Sequence, residues 1–335
     1  MKGQQPHLSS KSVTVKAPAR LHLGFMDMNG GLGRNFGGLG LTLAGLSTHL
    51  TVKASNDVTA NDSNNTSIAE RAIKYAKLLL EEYAPDRGVH IEIHEAIPSH
   101  AGLGSGTQLG LAVCSAISHL FDLDIDVTTI AKLTARGARS GIGVGAFQQG
   151  GFIVDGGRGG KTIIPPVICR MEFPEQWRII LIFDNNEVGL NGSHEKLAFK
   201  KLPPMDPGVS GNLCRTVLMR ILPALVESNI QDFGKGITNV QERVGDYFAN
   251  YQGGRYSSDL VADALTWMDD QGVAGVGQSS WGPTGFALVE NELEANRLVK
   301  KAAKVSSNTH LSFKVCQALN TGATIEISDR VAKTG

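Results

Sequence analysis

Two periodicities alternate along the chain. Residues 89–94, VHIEIH, set Val89, Ile91 and Ile93 against His90, Glu92 and His94, the two-residue repeat of a half-buried strand. Further on, Leu109, Val113, Ala116, Ile117, Leu120 and Phe121 recur at steps of three and four, which predicts a helix with one apolar face. Between the two lies AGLGSGTQ, where Gly102, Gly104 and Gly106 leave the backbone open to close approach and Ser105 or Thr107 can cap the helix. Strand, bulk-free loop and helix start, in that order, bring unpaired N–H groups together with the positive end of a helix dipole. Such a place suits an anion, most naturally a di- or triphosphate. The competing reading is a turn that is glycine-rich only because it is tight. It is not a Walker loop, since no Lys follows the glycines.

The same patterns organise the rest. SVTVKAPARLHLGFMDMNG predicts two short strands around Pro18, and LTLAG and THLTVKAS continue them as a β meander. Ser67 can cap a helix carrying Ile68, Ala72, Tyr75, Ala76 and Leu79, and DVTTIAKLTARGARSG predicts another, with Asp126 near its start and Gly137 near its end. Pro165 and Pro166 break the pattern, so we divide the chain into an N-terminal domain over 11–165 and a C-terminal domain over 166–335. The second reads as an α+β sandwich with helices on one face. Residues 1–10 read as a disordered leader, and 186–208 as a loop able to close as a lid, with Lys196 and a surface His194.

Composition narrows the function classes. Lys plus Arg and Asp plus Glu number 32 each, so no bulk field favours nucleic acid, and any anion must be held locally. The four cysteines, Cys114, Cys169, Cys214 and Cys316, show no metal-ligand spacing and read as buried free thiols of a cytoplasmic protein. No apolar run approaches the ~20 residues of a membrane span. The 40 glycines cluster in a few loops. Asp27 and Arg34 lie in or beside one of them, and a helix delivers Arg136 and Arg139 to another, as ordinary helix-end charges or as groups facing phosphate.

Three stretches together resemble the GHMP superfamily of small-molecule kinases. PSHAGLGSGTQLGLA is similar to its phosphate loop, APARLHLGF to its first motif, and GQSSWGPTGFAL to its late glycine loop. The resemblance implies an α+β, two-domain GHMP-kinase-like fold: an N-terminal domain like domain 2 of ribosomal protein S5 and a C-terminal ferredoxin-like domain. It implies phosphate binding by Gly102, Leu103, Gly104, Ser105, Gly106, Thr107 and Gln108, with Arg20, His22, Arg136, Arg139, Arg255, Gly282, Thr284 and Gly285 as candidate substrate-binding residues. Where the kinases carry a catalytic Asp, this chain has Gly143. That departure, with RLHLGFMDMNGGLGRNFGG, RSGIGVGAFQQGGFIVDGG and QGGRYSS, resembles the β-ribofuranosylaminobenzene 5-phosphate synthases of methanopterin biosynthesis. That resemblance implies a decarboxylating phosphoribosyltransferase that condenses 5-phosphoribosyl-1-diphosphate with 4-aminobenzoate or a related aromatic acid. Asp27 and Arg34 are then the candidate catalytic residues. Asp27 would bind Mg²⁺, meet the arylamine or stabilise the sugar cation, and Arg34 would neutralise phosphate charge. Mg²⁺ is the expected cofactor, with no pyridoxal phosphate, nicotinamide or structural zinc, and the partners are small molecules and a second copy in a homodimer. The alternatives are an ATP-dependent kinase of a small alcohol and a ligand-binding relative without turnover.

Overall fold

The computed structural model describes residues 11–62, 66–186, 202–280, 282–305 and 310–329. The expected leader and residues 187–201 of the expected lid, with His194 and Lys196, lie outside the described residues.

In place of two short strands around Pro18 there is one, β1 (Lys11–Asp27), paired antiparallel with β2 (Arg34–Ser55). Proline has no N–H for the ladder, and the chain absorbs this by slipping register: Pro18 faces Ser47 while Ala19 faces Leu43. β3 (Thr59–Asp62), β4 (Gly88–Glu95), β5 (Phe152–Asp155), β6 (Arg158–Gly159), β7 (Val167–Met171) and β12 (Thr324–Asp329) complete this first sheet. β7 and β12 both lie beyond the boundary expected at 165, yet they pair with β5 and β1, so the sheet gathers strands from both ends of the chain. Helices α1 (Thr66–Tyr83) and α2 (Ser105–Leu120) bury their apolar faces against the β1, β2 and β4 part of it. Asp126 caps α3 (Val127–Leu133) as expected, accepting from the Thr128 and Thr129 N–H groups. The helix stops short of Gly137 because Ala135 already turns left-handed, at φ 53°. α4 (Ile142–Gln148) follows.

The second sheet is antiparallel in the order β11 (Leu311–Cys316), β8 (Arg178–Asp184), β10 (Gly285–Val289), β9 (Gly275–Gln278). The central strands β8 and β10 carry continuous apolar runs because both faces of the sheet are covered there, where helices on one face were expected. Ile180, Ile182, Ala287 and Val289 meet α7 (Asp259–Asp270) and α8 (Glu292–Val305), while Ile179, Leu181, Phe286 and Leu288 meet α6 (Ile230–Gln252). This second core runs on into Leu21, Leu23 and Phe25 of β1 and around a cluster of Phe152, Phe173, Trp177 and Phe233, so one apolar core joins the two halves. α5 (Pro207–Val226) lies on β1 and α6. By length and mean hydropathy of 1.2 it could cross a membrane, a stretch the sequence reading passed over, and a third of it is buried in the protein. Of the cysteines, Cys114 and Cys316 are buried but Cys214 is exposed.

The halves also meet through backbone. The Gly102 carbonyl accepts from Arg20 Nη1 at 2.5 Å and from Ser279 Oγ at 2.8 Å, and Ser279 Oγ accepts from His22 N at 3.1 Å. A Cβ on Gly102 would lie 2.2 Å from the Ser279 carbonyl oxygen, and one on Gly282 would lie 2.5 Å from Gly102 N. Glycine is required at both places because main chain touches main chain. Beside this junction His22 is 3% exposed, with Nε2 unpaired on a cavity of about 20 Å³, room for one water. Burial, then the charges of Arg20 and Arg139, lower its pKa to about 3, so the imidazole is neutral.

Two outcomes follow from the junction. Gly282→Ala forces the two loops apart and is expected to cost about 1–3 kcal/mol in urea unfolding. For His22, the unfolded chain takes up a proton near 6.5 that the folded chain refuses until about 3. Its contribution is therefore fully present above 6.5 and is lost as the pH falls toward 3. By pH 5 the loss is about 2 kcal/mol, and His22→Gln should shrink the pH 7 to pH 5 difference in unfolding free energy by that amount. An unchanged difference would remove His22 as its source.

Candidate active site

The glycine loop feeds α2 as the periodicity implied. Gly102 and Gly104 are left-handed at φ 77° and 86°, and Gly104 is the N-cap of α2 with no side chain to bond the helix amides. Its carbonyl takes the N–H groups of Thr107 and Gln108. The first amides of a sixteen-residue helix thus remain for an outside acceptor. Neither Ser105 nor Thr107 caps it.

Two guanidinium groups flank that helix end. A Cβ placed on Gly106 would lie 3.0 Å from Arg71 Nη2 and 3.2 Å from Arg136 Cζ. The loop after α3 brings Arg136, and α1 brings Arg71, which sequence reasoning missed. Arg71 is one helical turn before Tyr75, the residue that ties the group together. The Tyr75 hydroxyl accepts from Arg136 Nε at 3.0 Å and from Arg136 Nη2, and donates to the Gly106 carbonyl at 3.3 Å. The Arg136 guanidinium also stands 5.7 Å from the Tyr75 ring centroid, a cation–π contact. Arg20 lies against Gly104 on the other side, and Arg139 is near enough to act on His22. Uncapped amides and clustered guanidiniums make this the place of strongest anion attraction around the loop.

Several expected site residues turn out to do other work. Gln108 is fully buried and donates through Nε2 to the Gly143 carbonyl at 2.8 Å, so its side chain points away from the loop surface. The Leu103 side chain belongs to the core, and its carbonyl accepts from Arg20 N. Arg255 pairs with Asp246 and Glu242 of α6, which satisfies its charge far more cheaply than an unbound ligand could. Gly285 makes room for Val261, with a Cβ-to-Cγ1 distance of 2.6 Å, and Gly282 serves the interdomain contact. The Thr284 hydroxyl is buried without a partner, and its carbonyl accepts from Ser279 N.

Asp27 and Arg34 sit at the far end of the β1–β2 hairpin. Asp27 is seven residues past Arg20, up to ~23 Å of extended strand. Asp27 Oδ1 accepts from Asn29 N at 2.7 Å and Gly30 N at 3.1 Å, which shapes the turn. Oδ2 is left for a cation, and a single carboxylate completed by substrate phosphates is an ordinary way to hold Mg²⁺. Among the described residues no cluster of three His, Cys, Asp or Glu could hold a metal by itself. Arg34 donates from Nε to the Gly156 carbonyl at 2.6 Å and from Nη2 to the Gly157 carbonyl at 2.8 Å, so most of its fork anchors a turn. That turn is also held by buried Asp155, which accepts from Ser140 Oγ, Gly141 N and Gly157 N. Gly143 abuts Thr107: a Cβ there would lie 3.0 Å from Thr107 Cγ2.

Comparison with known proteins agrees with this architecture. The GHMP kinases N terminal domain matches residues 68–151 and the GHMP kinases C terminal domain residues 221–308. Beta-ribofuranosylphenol 5'-phosphate synthase of Methanocaldococcus jannaschii is 33% identical, the match covering 86% of this chain and 92% of that one. The protein of the same name from Archaeoglobus fulgidus is 32% identical over 93% of this chain and 99% of its own. Among solved structures, Lactococcus lactis galactokinase superposes with a TM-score of 0.69 at 17% identity, covering 93% of this chain and 95% of that one, a likeness of fold. The chain belongs to the GHMP kinase superfamily and, within it, to the family of the archaeal beta-ribofuranosylphenol 5'-phosphate synthases.

Proposed function

We propose that the protein joins the anomeric carbon of 5-phosphoribosyl-1-diphosphate to the carboxylate-bearing ring carbon of a para-substituted benzoate, releasing diphosphate and carbon dioxide, as a step of methanopterin biosynthesis. The observation that carries this reading is the anion cradle at the α2 N-terminus, flanked by Arg71 and Arg136, with glycine and no carboxylate at 143. The bond between the anomeric carbon and diphosphate breaks, the aryl carbon supplies the electron pair for the new bond, and the carboxylate leaves as carbon dioxide. No substrate hydroxyl loses a proton, so no general base is needed at 143.

The residues divide the work. Charge grows on the departing diphosphate, where the α2 amides and the guanidiniums of Arg71 and Arg136 meet it, and Tyr75 holds Arg136 in place. Mg²⁺ would add positive charge to the diphosphate, held there by phosphate oxygens and water, since Asp27 stands at the far end of the β1–β2 hairpin from the cradle. Arg34 keeps the Gly156–Gly157 turn in position. For the acceptor, 4-aminobenzoate and 4-hydroxybenzoate both carry a para donor that enriches the attacking carbon. The relatives are named for a ribofuranosylphenol, which favours the hydroxyl form.

The test is purified protein with Mg²⁺, phosphoribosyl diphosphate and carboxyl-labelled 4-aminobenzoate or 4-hydroxybenzoate, following labelled carbon dioxide. Release that depends on both substrates supports the reading, and ADP formation from ATP with a small-alcohol panel, without such release, replaces it by a kinase. Arg71→Gln and Arg136→Gln should each lower kcat/KM for phosphoribosyl diphosphate about 10²-fold with the fold intact by circular dichroism. Tyr75→Phe should raise KM about 5–10-fold and spare kcat, since it loosens a guanidinium without removing it. Asp27→Asn keeps an oxygen for the turn amides and tests the charge alone. A loss in turnover below about 10²-fold would leave it a positioning role.

A further inference from the structure

A second concentration of positive charge lies away from the α2 cradle, between α5 and α6. A cleft of about 560 Å³ is lined there by Arg215 and Arg220 of α5 and Arg243 of α6, with Asn212 and Asn239 among their neighbours. All three arginines are exposed, and none has an ion pair with a carboxylate among the described residues. Elsewhere the chain pairs such groups: Arg178 with Glu292, Arg255 with Glu242 and Asp246, and Arg297 with Glu294. α6 carries two carboxylates close in sequence to Arg243, Glu242 and Asp246, but both are turned to Arg255. In a chain of zero net charge, three uncompensated guanidiniums facing one cleft are a local excess with no internal use.

The backbone explains how they come to face the same way. In an α-helix, residues five apart point ~140° away from each other. Pro223 cannot donate to the carbonyl four residues before it, and its ring would strike that carbonyl. The helix widens ahead of it into a π-turn at Val217–Ile221, closed by the Leu222 N–H on the Val217 carbonyl. A turn with five-residue spacing brings Arg215 and Arg220 toward one side, and π-turns of this kind recur at functional sites. Gly236 lets α6 approach α5 closely beside the cleft: a Cβ there would lie 2.5 Å from Ile221 Cγ1 and 3.4 Å from Arg220 Cγ.

We propose that this cleft is a second anion site, which takes a small molecule bearing two or more phosphate charges. Guanidinium forks match phosphate oxygens in pairs, and the carboxamides of Asn212 and Asn239 can donate to those that remain. The volume is that of a small-molecule pocket. With zero net charge, the chain carries no bulk positive field for a long nucleic acid.

The site is separable from the proposed catalytic cradle by calorimetric titration of the full chain with inorganic tripolyphosphate at about 0.15 M salt. The wild-type protein should bind two equivalents. The triple variant Arg215→Gln/Arg220→Gln/Arg243→Gln changes only exposed side chains and should bind one, while Arg71→Gln/Arg136→Gln should keep the cleft equivalent. A triple variant that titrates like the wild type overturns the proposal, as does tighter capture of a 20-nucleotide single strand than of tripolyphosphate through the same arginines. Loss of one equivalent in a protein that releases no carbon dioxide would sustain the cleft and sink only the catalytic reading.

Discussion

One carbonyl oxygen, that of Gly102, holds the architecture together. It accepts from Arg20 on β1 and from Ser279 in the late glycine loop, and the same Ser279 hydroxyl accepts from the amide of His22. A single peptide group therefore joins the first sheet, the phosphate loop and the second half of the chain. Its neighbours must be small because backbone replaces side chains as the packing material: Gly102 and Gly282 press against each other's loops. The partners of that oxygen include a positive charge, which makes the contact stronger than a neutral pair. It lies directly behind the uncapped N-terminus of α2, so the geometry of the cradle and the closeness of the two halves are one quantity.

The cradle itself is built by subtraction. Glycine removes bulk at 102, 104 and 106, the missing cap leaves amides unspent, and glycine at 143 removes a carboxylate that would repel phosphate. Charge then comes from outside the loop, through Arg71 and Arg136, and the Tyr75 hydroxyl fixes one of them by accepting from it while donating back to the loop. A site assembled in this way suits chemistry in which a leaving group needs neutralising and nothing needs deprotonating.

Much of this was legible in the sequence, and for identifiable reasons. The period-two and period-three-to-four patterns located β4 and α2 and hence the loop between them, because burial on one face imposes those periods. Asp126 announced its helix because a cap is a local bond. Pro18 misled because a bulge in the partner strand can absorb a missing N–H, a fact about β2 and not about the proline. Arg255 and Gln108 misled for a different reason: proximity to a motif in sequence says nothing about whether a carboxylate two turns back, or a carbonyl beneath, has already taken the group. Arg71 was invisible on the same ground, since its neighbour in space, Gly106, is 35 residues away in sequence. The boundary at 165 was drawn where the pattern broke, but strand pairing ignored it.

That pairing bears on how the chain reaches its fold. Val13 of β1 lies opposite Ile327 of β12, so β1 finds one of its two neighbours only after about 300 further residues have been made. Until then β1 has an open edge on that side, and the entropy of closing a loop of about 300 residues must be met before the contact gives anything back. A nascent chain halted before residue 324 would therefore expose a strand edge suited to pairing with another chain.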